Sequence, residues 1–213
     1  VVAPGLVDLA ARLREPGLEH KATLESEMDA AVAGGVTRLA CPPDTDPPLD
    51  EPGLVEMLRQ RARLSNRAHV HPVGALTVGL AGETLTEMGE LAEAGCVAFS
   101  QADRPLVDTQ VLLRALQYAA TFGHAVWLRP QDPHLARGGV AHDGEVATRL
   151  GLPGIPVTAE TVALATIFAL VIATIWVIPT FGLFISSFRP EDLIKTTGWW
   201  TVFENWGWTL DNY

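Results

Sequence analysis

Few residues in this chain have the type and spacing to do chemistry, and His69-Val70-His71 is the first of them. Residues two apart on a strand face the same way, so the two imidazoles could meet one metal ion. A protein site needs at least three ligands, and neither an acidic residue nor a third imidazole follows at a readable spacing. His69 and His71 are therefore weak metal candidates, and polar decoration at a strand start is the expected role. His134 and His142 fall in a loop rich in Pro and Gly and are expected to be solvated. Cys41 and Cys96 lie on different expected strands with no close-spaced partner, which argues against a zinc site. Two buried, reduced thiols suit a cytosolic compartment. Gly34-Gly35 lacks the Lys-Ser or Gly-x-Gly-x-x-Gly context of a phosphate loop and reads as a helix C-cap. With a formal net charge of −10 and a pI near 5.0, the chain lacks the clustered cations that nucleic-acid binding requires.

The elements that must position these residues alternate along the chain. Strands are expected at Leu6–Leu9, Arg38–Cys41, Val70–Leu76, Val97–Ser100 and Ala125–Leu128. Helices are expected at Leu24–Ala33, Glu51–Leu64, Leu85–Ala94 and Thr109–Phe122, with Pro52 near the start of the second. Short apolar strands alternating with amphipathic helices predict parallel βα units. The fold class is α/β: an incomplete (β/α)8 TIM-type barrel of about five strands, where a closed barrel has eight. Such a piece leaves a sheet edge uncovered. One transmembrane helix and an irregular tail complete the expected layout, and there is no internal repeat.

Several blocks follow one another in order along the chain. They are Pro4-Gly5-Leu6-Val7-Asp8 with Leu13-Arg14-Glu15-Pro16-Gly17, Gly34-Gly35-Val36-Thr37 and Pro43-Asp44-Thr45-Asp46-Pro47. His71-Pro72-Val73-Gly74-Ala75-Leu76-Thr77, Ala94-Gly95-Cys96-Val97-Ala98-Phe99-Ser100, and Gly138 to Gly144 with Leu152 to Pro156 continue the series. The resemblance of these blocks, over about residues 1–165, is to the dihydroorotases of the amidohydrolase superfamily. It implies a barrel with metal ligands at positions here held by Ala10, Arg12, Gln101 and Arg129, the last with a possible shift onto Pro130. A methyl cannot coordinate zinc, and a permanently protonated guanidinium repels it. Arg14 resembles a substrate-carboxylate arginine, and Asp44 stands where the family has Asn; both are vestigial substrate-binding positions. On this basis the chain is expected to be a pseudoenzyme without cofactor. A non-catalytic dihydroorotase-like branch implies a scaffold in pyrimidine biosynthesis that supports aspartate transcarbamoylase. A residual metal-dependent cyclic amidohydrolase using His69 or His71 is a competing reading.

From Thr161 to Phe188 no residue is charged, a run longer than the roughly 20 residues that cross a bilayer. The tail, with Trp176-Val177-Ile178-Pro179-Thr180, Phe188-Arg189-Pro190, Gly198-Trp199-Trp200 and Leu210-Asp211-Asn212-Tyr213, resembles the start of a malG-like carbohydrate importer (ABC transporter) permease. The expected organisation is a partial barrel over 1–162, a transmembrane helix over 163–187 and a permease-like extramembrane tail over 188–213. That layout implies a lipid bilayer as a partner, with the protein in a bacterial inner membrane and the barrel in the cytoplasm. No linker composition marks the join near Ala163–Thr166, so a chimeric reading frame is the simplest origin. A fragment of a sugar importer subunit is the alternative function.

Overall fold

The computed structural model describes residues 2–188. The permease-like tail motifs from Arg189 to Tyr213 lie outside the described residues. The described part divides into two compact units, with the boundary between Ala165 and Thr166.

In the first unit the chain runs β1 (Leu6–Asp8), α1 (Leu24–Ala33), β2 (Val36–Cys41), α2 (Pro52–Ser65), β3 (His69–Ala75), α3 (Met88–Ala94), β4 (Ala98–Ser100), α4 (Thr109–Phe122) and β5 (Val126–Trp127). The five strands pair in parallel in the order β1-β2-β3-β4-β5. Each crossover is helical, as parallel neighbours require, and the result is an incomplete TIM-type barrel. A separate parallel pair, β6 (Ala141–His142) with β7 (Gly154–Ile155), flanks the short helix α5 (Glu145–Leu150).

The helix limits follow from capping. Thr23 accepts from the Ser26 backbone N–H while the Ser26 hydroxyl accepts from Thr23, and α1 then ends at Gly34. Asp108 accepts from the backbone N–H groups of Gln110 and Val111 to start α4, which ends at Gly123 in the left-handed region. Alternation along the strands sorts side chains into two layers. Leu39, Cys41 and Phe99 join Met28, Leu58, Leu91 and Ala115 between sheet and helices. Ala40, Val73 and Ala98 pack with Trp127 on the opposite, concave face. Small residues suit a face that curls inward.

Among the described residues β1 pairs only with β2, and Leu6 and Leu9 are 61% and 62% exposed. The unpaired sheet edge anticipated from five strands is therefore present.

Three expectations change in detail. α3 starts at Met88 rather than Leu85, because Leu85 bridges Thr77 and the Thr86 hydroxyl donates to the Ala75 carbonyl at 2.6 Å. Cys96 is half-buried in the turn before β4 rather than on a strand. β6, α5 and β7 were not anticipated, since two-residue strands carry no readable period.

The long helix α6 spans Val157–Ser187, beginning before residue 163, because one further turn, residues 157–160 with the acidic Glu160 at the helix start, precedes the uncharged run that opens at Thr161. Its stretch Val157–Trp176 is 20 residues long with a mean hydropathy of 1.9 and is 6% buried. By length and composition it is able to cross a membrane.

Candidate functional site

The strands of a parallel barrel offer ligand-facing groups at their C-terminal ends, and here those ends are tied by charge. The Asp8 carboxylate accepts from the Ala10 backbone N–H at 2.9 Å and turns the chain as β1 finishes. Ala11 N–H then donates to the Ala40 carbonyl at 2.9 Å, keeping the segment beside β2. Ala10 is exposed, its methyl offering nothing to a ligand.

Arg12 reaches across the mouth. Its Nε donates to Asp44 Oδ2 at 2.7 Å, beyond β2, and its Nη2 donates to Asp103 Oδ2 at 2.6 Å, beyond β4. Arg129, beyond β5, donates from Nη1 to Asp103 Oδ1 at 3.0 Å. Asp103 thus serves two arginines through its two oxygens. The Asp44 hydrogen bond holds the Arg12 pKa above its ordinary value against the opposing effect of burial, and the charges of Asp44 and Asp103 add to it. These side chains are a third to a half exposed, so each pair contributes at most about 1 kcal/mol.

Arg14 sits at φ 64°, and its carbonyl accepts from Leu18 N–H at 2.9 Å. It makes no ion pair among the described residues, and it lines a small cleft with Arg12 and Asp44. The Glu15 carboxylate accepts from the Leu24 N–H at 2.9 Å and pairs with Arg61. At Gly17, φ is 91° and a Cβ would collide with the Asp46 backbone, so only glycine lets these two loops meet.

Gln101 does not face the Arg12 network. It is buried, and its Nε2 donates to Thr77 Oγ1 at 2.7 Å, while Thr77 Oγ1 accepts from Gly82 N–H at 2.9 Å. The expected ligand positions are thus dispersed: Arg12 and Arg129 converge through Asp103, Gln101 braces the β3–α3 loop, and Ala10 stands apart. Asp103 is the residue that sequence reasoning missed. Two arginines at one strand mouth need counter-charge, and that need was the available signal.

These donors do not fit a divalent cation. Two are cationic, one is a methyl and one is an amide already hydrogen-bonded. Among the described residues no three His, Cys, Asp or Glu side chains come together as a metal site. Burial pushes the Cys41 thiol up to about 12, so it stays protonated, whereas metal binding needs the thiolate.

His69 and His71 lie at the opposite end of β3, paired in register with Arg38 and Ala40. Arg38 Nη1 lies 3.5 Å from His71 Nε2. Burial lowers the His71 pKa, and the charges of Arg38, His69 and Arg59 lower it further. A cationic neighbourhood is the wrong setting for a metal ion.

Comparison with known proteins gives the family. A family model described as dihydro-orotase-like matches residues 1–175. The dihydroorotase-like protein of Pseudomonas putida is 53% identical over 78% of this chain and 39% of its own length. The dihydroorotase of Pelobacter propionicus is 48% identical over 77% of this chain and 39% of its own length. The chain therefore spans about two fifths of the length of these relatives. Among solved structures, the L-hydantoinase of Arthrobacter aurescens matches with a TM-score of 0.62 at 18% identity, over 78% of this chain and 39% of that one. Yeast dihydroorotase in complex with 5-fluoroorotic acid matches with a TM-score of 0.52 at 16% identity, over 79% and 45%. At these identities the two structures support the fold alone.

The expectation of a pseudoenzyme is corrected by these relatives. The Pelobacter protein, and an Anaeromyxobacter dehalogenans protein 46% identical over 80% of this chain, are named dihydroorotase, an enzyme. The physical reason is one of extent: a barrel mouth is assembled from eight strand ends, and five of them do not decide the chemistry of the whole. With its order of βα units and a family match over most of its length, the chain belongs to the dihydroorotase-like family.

Proposed function

We propose that the barrel part serves pyrimidine biosynthesis and supports aspartate transcarbamoylase by direct association. The observation that carries this reading is the network of Arg12, Asp44, Asp103 and Arg129, which joins the ends of β1, β2, β4 and β5. Such a network fixes loops that would otherwise move independently and gives a partner a preorganised polar surface. Arg14, outside the network, is the group suited to a carboxylate. The test is co-expression of the full chain with aspartate transcarbamoylase, followed by affinity capture and size-exclusion chromatography. Stoichiometric co-elution that weakens in Arg12→Ala is the expected result. Separate elution of two folded proteins counts against the proposal.

A second reading concerns α6, whose nearly uncovered apolar surface supports a membrane role. In this reading α6 anchors the barrel to an inner membrane as the first span of a permease-like segment, joined to the barrel in a chimeric frame. Recovery in the membrane pellet after alkaline extraction supports the anchor, and release to the supernatant removes it. Sequencing source DNA across codons 160–170 tests the join: a single uninterrupted locus with a full-length transcript overturns the chimera.

A further inference from the structure

The underside of the sheet carries a groove of about 560 Å³ between the first half of β3, the last turns of α2 and the Gly95–Val97 turn. We propose that it binds a small phosphorylated molecule, with the phosphate held by Arg59 and Arg63. The volume is in the range of small-molecule sites, roughly 300–1,000 Å³.

Its walls exist because β3 begins before β4 does. β4 pairs with β3 only from Val73 onward, and Val97 N–H donates to the Pro72 carbonyl at 3.0 Å. The β3 residues before that point, His69 to His71, are therefore uncovered on the β4 side. Its walls come from β3, from α2 with the loop that leads into β3, and from the turn before β4, all within the described residues.

The chemistry is one-sided. Arg59, Arg63, Arg67, His69 and His71 line the groove, and none of its lining residues is a carboxylate, although the chain as a whole is at −10. Arg67 is committed elsewhere, to Asp29 at 3.2 Å and Glu25 at 3.6 Å. Arg63 makes no ion pair among the described residues. Arg59 is fixed in place by donating to the Ala94 carbonyl, and a Cβ at Gly95, where φ is 111°, would collide with its guanidinium. Arg59 and Arg63 are four residues apart on α2 and share one face. One guanidinium held by a backbone carbonyl beside an exposed one without a carboxylate partner suits the several oxygens of a phosphate dianion better than a single carboxylate. Burial lowers the His71 pKa, and the charges of Arg38 on β2, His69 on β3 and Arg59 on α2 lower it further. A bound dianion reverses that field, so binding is expected to raise the His71 pKa.

The experiment is calorimetric titration of the full chain in detergent with inorganic phosphate and ribose 5-phosphate, with acetate for comparison. Phosphate and ribose 5-phosphate are expected to bind at least tenfold more tightly than acetate. Arg63→Glu is expected to weaken both by at least tenfold with an unchanged circular dichroism spectrum, and Arg114→Gln, an exposed position on α4 away from the groove, to leave both unchanged. Because Arg59→Gln could disturb the Gly95 turn, the exposed Arg63 is the decisive position. His71, followed by NMR, is expected to titrate at higher pH when phosphate is present. No phosphate binding, equal binding of acetate, binding undiminished in Arg63→Glu, or loss in Arg114→Gln overturns the proposal.

Discussion

The two ends of the sheet use the same residue type in opposite ways. At the C-terminal ends, Arg12 and Arg129 are matched by Asp44 and Asp103. At the N-terminal ends, Arg59 and Arg63 line a groove free of carboxylates. An arginine with a carboxylate partner at hydrogen-bonding distance braces loops; one without such a partner is available to an incoming anion. The contrast shows that arginine content says little until the counter-charges are located.

The largest effect that sharpens this contrast concerns the glycines that hold the two ends. Gly17→Ala places a side chain against the Asp46 backbone at φ 91°. Backbone cannot swing away, so a loss of about 3 kcal/mol is expected in chemical denaturation of the full chain. Gly95→Ala meets the Arg59 side chain instead, which can retreat. A smaller loss of about 1–2 kcal/mol is expected there, accompanied by weaker phosphate binding. If the two losses came out in the reverse order, the distinction between a rigid and a yielding obstacle would fail.

Next in size is the mouth network. Asp103→Asn leaves Arg12 with Asp44 and Arg129 without a charged partner among the described residues. An expected loss of about 0.5–1 kcal/mol should shrink as salt is raised, because these side chains are partly exposed. An effect insensitive to molar salt would indicate packing rather than charge.

The smallest effect is pH dependence through His71. Its folded pKa lies below the ordinary value of 6.5, so the unfolded chain takes up the proton first. The contribution is present above pH 6.5 and declines as pH falls below it, levelling once the folded ring is also protonated. His71→Gln should flatten that part of the stability profile. Phosphate should oppose the decline, which no group at the mouth would do.

Much of the barrel was legible in the sequence because its signals are local. α1 and α4 are bounded by side chains a few residues from their ends, with Thr23 and Asp108 opening them and Gly34 and Gly123 closing them. The strands were legible within a residue or two because their apolar runs are short and interrupted. β6 and β7 were not, since two residues show no alternation. At the site, Arg12 and Arg129 stood out because a family frame surrounds them. The partner Asp103 did not, being 91 positions from Arg12 in a loop with no pattern. Gln101 follows β4 directly in the chain, but its commitment to Thr77 depends on how the β3–α3 loop folds back. The underside groove was invisible for the same reason: it comes from a late start of β4, which is a property of register rather than of composition.

The carboxylate of Asp103 also has a consequence for the order in which this molecule acquires its shape. It bonds residues that follow β1 and β5, the first and last strands of the sheet, while itself following β4. Both bonds can be made only after the intervening βα units have docked and the chain between them has paid its closure entropy. The double contact therefore acts as a late latch on assembly. In kinetic terms, Asp103→Asn should hasten unfolding while leaving the folding rate nearly untouched.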